Sequence, residues 1–179
     1  KGINPEKIVR VMNVPLLAEK GPQELLHRGS PDFGTNPIKL VYLGVVRKPR
    51  GIQAIIRALN KFDANTYSVE LKVAGDGPYI ESLKDLTQEL GVEDKVTFEG
   101  YIDSEDIVEF LTTGSIGVIP HEPNEHWENT IPNKTFDYMC AGLPVVATRT
   151  PPLENLLSEI GCGKTFSASQ QPVDVRNCI

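Results

Sequence analysis

The sequence predicts an α/β fold, a parallel sheet with helices on both faces, and three observations carry that reading. From Ile38 onward, short apolar runs alternate with segments in which apolar residues recur at helical spacing. The runs close on turn signals, among them Gly44, Gly75-Asp76-Gly77 and Gly100. The chain has 179 residues, 40% hydrophobic and 23% charged, which suits one soluble domain with a substantial core.

Residues 8–14 alternate loosely and contain β-formers, consistent with one strand. Residues 20–37 are polar and rich in Gly, Pro, Asn and Asp, and read as a linker. The rhythm then begins at Ile38, with a buried strand over 39–43 ending at Gly44. Ile52, Ile55, Ile56 and Leu59 form the stripe of a first helix. A second strand over 69–74 leads to a helix marked by Ile80, Leu83, Leu86 and Leu90, with Gly91 as its C-terminal cap. A third strand covers 96–98. Asp103 is placed to cap a helix carrying Ile107, Val108, Phe110 and Leu111. Strands at 115–119 and 144–147 flank a helix over 133–141. A further helix spans 153–158, and residues 172–179 open another element. Strands and helices in this order build right-handed βαβ units, a Rossmann-like sheet that binds ligands beyond its strands' carboxyl ends.

The formal net charge of −6, without a basic cluster, argues against nucleic acid or an anionic membrane as partner. An anionic ligand would need a few placed cations and backbone amides. Cys140, Cys162 and Cys178 form no CxxC pair, so neither zinc nor a disulfide framework is indicated, and a reduced cytoplasmic setting fits. No run of about 18 apolar residues predicts a transmembrane segment. With Lys1 at one end and an element opening at the other, the chain reads as an excised piece of a longer chain.

The candidate chemistry lies in the loops. Gly44 and Gly51 allow close backbone approach, and Arg50 between them suits phosphate oxygens, although Arg47, Lys48 and Arg50 also fit a solvated basic turn. Gly75-Asp76-Gly77-Pro78 reads as structural punctuation with Asp76 as a cap. Neither GxGxxG nor GxxxxGK[ST] occurs. The long loop 121–132 holds the single Trp and two of the three His; His121, Glu125 and His126 set no metal-ligand pattern, so no metal is expected. The helix starting near Asn133 offers free amides, with Asp137 one turn on. Asp137 suits a ribose hydroxyl, or simply complements the helix dipole. Phe136, Met139 and Cys140 read as core. No Ser/His/Asp or Cys/His nucleophile arrangement is visible.

The segment from Asn133-Lys134-Thr135-Phe136-Asp137 to Gly142-Leu143-Pro144-Val145-Val146 resembles the donor-site helix of the group 1 (family 4) glycosyltransferases, retaining enzymes of the two-domain GT-B architecture. Tyr42-Leu43-Gly44 with Arg50-Gly51, Gly75-Asp76-Gly77-Pro78, Val96 through Gly100, Val118-Ile119-Pro120 and Pro152-Leu153-Glu154 follow in the family's order, so the likeness spans about residues 38–168. It implies that residues 1–37 are the end of the acceptor domain and the interdomain linker. Residues 38–179 would then be the nucleotide-sugar-binding half of the GT-B fold. The parent enzyme would move a sugar from a nucleotide diphosphate donor, UDP favoured, to an acceptor held by its N-terminal domain. It would act in the cytoplasm or at the membrane's inner face, with no cofactor.

The resemblance also assigns residues. Arg50 meets the diphosphate beside Gly44, the amides of Asn133 and Lys134 hold phosphates, Asp137 binds ribose, and the Tyr101-Ile102 backbone holds the base. The family's usual glutamate pair falls on positions 129 and 137, here Asn129 and Asp137, which leaves Asn129 at the sugar contact; Val45 stands where a basic residue is common. A hydrolysing nucleotide-sugar 2-epimerase shares this architecture, and a non-catalytic nucleotide-sugar-binding module fits the same residues.

Overall fold

The computed structural model describes residues 37–62 and 68–179. The strand read over 8–14 and the linker segment, apart from Pro37, lie outside the described residues. The strands are β1 (Ile38–Leu43), β2 (Val69–Ala74), β3 (Val96–Gly100), β4 (Ile116–Ile119), β5 (Val145–Thr148) and β6 (Gly163–Phe166). The helices are α1 (Ile52–Leu59), α2 (Ile80–Leu90), α3 (Ile107–Thr112), α4 (Lys134–Cys140), α5 (Pro151–Ile160) and α6 (Pro172–Arg176). Every strand pairing is parallel, in the order β3-β2-β1-β4-β5-β6, so the expected Rossmann-like α/β fold is the one observed.

Side-chain alternation along the strands divides the core. Leu40, Tyr42, Leu71, Val73, Val118 and Val146 face one side, under α1, α2 and α6. Val41, Ile119, Val145 and Ala147 face the other, under α3, α4 and α5. Both faces are thus covered, as a parallel sheet requires.

Three local expectations change. Strand β6 was not anticipated: it is an edge strand whose only buried side chain is Phe166, and Gly163-Lys164-Thr165 offer no apolar run. Helix α3 starts at Ile107 rather than after Asp103, because residues 103–106 close a turn in which Asp106 N donates to Asp103 O. On α4 the buried residues are Thr135 and Tyr138, while Phe136, Met139 and Cys140 are half-buried.

Strand order reverses between β1 and β4, the switch point where such sheets open a crevice. These strands pair only at Leu40↔Ile116 and Val41↔Gly117 and then part. Tyr138, fully buried, fills the fork. Its hydroxyl accepts from Leu43 N at 3.0 Å and donates to Val118 O at 3.3 Å. Gly117 makes room for the ring, since a β-carbon there would collide with it. Tyr138→Phe leaves the Leu43 N–H and Val118 C=O without this partner. The expected loss is about 1–3 kcal/mol of stability, read from the urea midpoint; an unchanged midpoint would show that the hydroxyl does not hold the fork.

Candidate functional site

At the carboxyl end of β1 the chain passes Gly44 and enters a single 3-10 turn over Lys48–Arg50, with Pro49 inside it. Gly51 closes the turn at φ +72°, a left-handed conformation that a side chain would strain, and its missing side chain lets the backbone lie against Pro120 O. Glu122 N donates to Pro49 O at 3.0 Å. Gln53 Nε2 donates both to Lys48 O at 3.1 Å and to Glu122 Oε1 at 2.8 Å. Gln170 reaches in from beyond β6, donating to Pro120 O at 2.6 Å, His121 O at 3.2 Å and Thr148 Oγ1 at 3.0 Å. Its φ of +53° is the one positive value at a non-glycine among the described residues, so backbone strain is accepted where the β1 and β4 loops are joined. The turn that presents Arg50 is therefore braced by Gln53 and Glu122, while Gln170 fixes the Pro120–His121 segment on which Gly51 lies.

The neighbouring loop is structural, as expected, but by another route. Asp76 does not cap α2; its carboxylate accepts from Gly77 N at 2.7 Å, and its carbonyl accepts from Val46 N at 2.9 Å, which ties the first two loops together.

The Arg50 guanidinium lies 5.0 Å from the Trp127 ring centroid. Trp127 also packs on His121, centroids 4.4 Å apart, and meets His126 edge-on at 4.5 Å. His121 is buried, and neither ring nitrogen has a hydrogen-bond partner among the described residues. Burial, then the charges of Lys134, Arg50 and His126, pull its pKa down to about 2, so the imidazole is neutral in ordinary buffers. The Lys134 ammonium sits 3.8 Å from the centroid of the Tyr42 ring. Burial first, and Arg50 second, hold it well below the usual lysine range, with Asp137 acting the other way. Tyr42 is fully buried and donates its hydroxyl to Val45 O at 2.8 Å; desolvation raises its pKa.

The structure thus draws Gly44, Arg50, Lys134 and Asp137 to one corner of the switch point. Burial raises the Asp137 carboxyl above its ordinary range, partly countered by Lys134. Thr135 N donates to Pro132 O, and Phe136 N and Asp137 N donate to Asn133 O, so Asn133 stands at the N-cap of α4, as anticipated. Tyr101 and Ile102 follow β3, with Tyr101 largely exposed and Ile102 packed on the α4 side of the core. Asn129 is engaged within its own loop: its Nδ2 donates to Glu125 O at 2.8 Å. Among the described residues no group of His, Cys, Asp and Glu is placed to hold a metal ion, and no helix is long and apolar enough to cross a membrane. Sequence reasoning missed the side chains of Lys134, His121, Trp127 and Gln170. Only His121 and Trp127 carried a signal, as rare residue types in one long loop.

The family model for glycosyl transferases group 1 matches residues 37–170, well over half of the chain. The lipopolysaccharide core biosynthesis glycosyltransferase LpsD of Rhizobium meliloti (strain 1021) is 37% identical over 122 residues, 66% of this chain and 32% of that protein. The alpha-monoglucosyldiacylglycerol synthase of Streptococcus pneumoniae is 28% identical over 120 residues, 67% of this chain and 26% of that protein. The chain therefore spans about a third or less of the length of these relatives. Among solved structures, WaaG, a glycosyltransferase involved in lipopolysaccharide biosynthesis, superposes with a TM-score of 0.68 at 17% identity, over 93% of this chain and 41% of that one. Anabaena Alr3699/HepE in complex with UDP and glucose gives 0.64 at 18% identity, over 92% of this chain and 42% of that one. The parallel α/β sheet, the ordered motifs along it and the matched family model lead to one conclusion: the chain belongs to the glycosyl transferases group 1 family.

Proposed function

We propose that this chain binds the donor of a glycosyltransferase that moves a sugar from a nucleotide diphosphate to an acceptor with retention of configuration. The observation that carries the reading is Arg50. It is held by a braced turn at the switch point, and its guanidinium meets an aromatic face, with no carboxylate in ion-pair range among the described residues. A diphosphate is the natural counter-charge for a guanidinium so placed. The amides of Asn133 and Lys134 and the close backbone at Gly44 complete its surroundings. Asp137 takes the ribose, the Tyr101-Ile102 backbone the base, and Asn129 the sugar. The end of β3 lies two strand spacings from that of β1, about 10 Å, a span that suits a base at one and phosphates at the other.

Catalysis in such a site is positioning plus stabilisation of charge on the departing diphosphate. UDP is the favoured nucleotide, in keeping with UDP in the HepE structure. The acceptor belongs to the other domain of the parent enzyme, which needs no cofactor and works in the cytoplasm or peripherally at the membrane.

Two substitutions separate the phosphate grip from the ribose grip. Arg50→Ala is expected to weaken UDP and inorganic pyrophosphate alike, by about 1.5–3 kcal/mol. Asp137→Asn is expected to leave pyrophosphate at least as tightly bound but to weaken UDP, because a carboxylate accepts from two hydroxyls and an amide oxygen does so less well. Burial already disfavours the charged carboxyl, so Asp137→Asn should not lower the melting temperature. Calorimetric titration of both variants, beside a thermal melt, tests this. UDP binding to Asp137→Asn at full strength, with stability down by about 0.3–1 kcal/mol, would reduce Asp137 to a dipole-complementing acid.

A further inference from the structure

The reading above uses the backbone of Lys134 and leaves its side chain without a task. That side chain is expensive to keep where it is. A methyl group built on Gly44 would lie 3.3 Å from Nζ, so the ammonium sits directly beneath the loop that follows β1. Its one close partner among the described residues is the Tyr42 ring. Among the described residues no carboxylate is within ion-pair range, and the nearby charges are Arg50, which repels it, and Asp137, which attracts it from one turn along α4. A partly buried ammonium with so little compensation is a poor structural element.

A second observation comes from a different strand. His121, two residues beyond the end of β4, is buried (3% exposed), and both of its ring nitrogens are unpartnered among the described residues. It lies within the field of the same two cations. Its imidazole offers one donor and one acceptor to whatever enters. An ammonium from α4, a guanidinium from the turn after β1 and an unsatisfied imidazole from β4 therefore converge, and the common complement is an oxyanion with several acceptor oxygens.

We propose that the Lys134 ammonium is the second cation of the phosphate site, gripping the donor diphosphate from beneath Gly44 while Arg50 grips it from the rim at Trp127. This rests on the donor-binding reading above and adds a residue to it. A bound phosphate supplies the counter-charge that Lys134 lacks and relieves the repulsion between the two cations. The buried His121 adds a neutral N–H donor beside them.

The test is calorimetric titration of the chain with inorganic pyrophosphate, UDP and uridine, comparing the unmodified protein with Lys134→Met and Lys134→Gln. Two uncharged replacements are used so that one misfolded variant does not end the test, and melts accompany both. The expected result is a loss of about ten- to hundredfold in affinity for pyrophosphate and UDP, with uridine unchanged and the melting temperature equal or higher. Pyrophosphate affinity equal to that of the unmodified chain would overturn the proposal. So would a parallel loss for uridine, which would make Lys134 a structural residue. Failure of the unmodified chain to bind pyrophosphate or UDP would instead remove the donor-binding reading itself.

Discussion

Where β1 and β4 part, the sheet loses its own hydrogen-bond ladder, and one side chain replaces it. The Tyr138 hydroxyl takes the Leu43 N–H on one strand and gives to the Val118 carbonyl on the other. A parallel sheet can fork at a switch point only if the freed backbone groups find partners. Everything that defines the site lies just beyond that fork: Gly44 and the Arg50 turn on one prong, Pro120 and His121 on the other. Because Tyr138 sits on α4, the same residue that holds the fork also ties to it the helix that delivers Lys134 and Asp137.

The second constraint is the bracing of the loops. Gln53, Glu122 and Gln170 join the turn after β1, the start of the long loop and the segment after β6. Through these bonds the turn that carries Arg50 is held against the segment that carries Pro120 and His121. A site made of loops is only as well defined as the bonds between them, and here those bonds are made chiefly by side-chain amides reaching backbone carbonyls.

The sheet was legible in the sequence because its signals are local. Apolar runs such as those of β1 and β2, glycines at their ends and the stripe of α1 depend on residues a few places apart. Strand β6 was not legible, since an edge strand with one buried side chain carries almost no pattern. The site divides in the same way. Arg50 and Asp137 could be read from their positions beside a strand end and a helix start. Lys134 could not, because helical spacing says which face a residue occupies but not that its ammonium crosses to Tyr42, 92 positions earlier in the chain. His121 could be weighed in the sequence only as a metal ligand, because its burial under Trp127 is a product of the fold.

The indole that seals His121 is the chain's single tryptophan. Light absorbed near 300 nm by this protein is therefore absorbed at one place, against a guanidinium on one side and an imidazole on the other. Indole emission is sensitive to the charge beside it, so any anion that draws Arg50 off the ring alters the fluorescence of the whole molecule. The protein carries a built-in optical gauge of the proposed phosphate site, and no label is needed to read it.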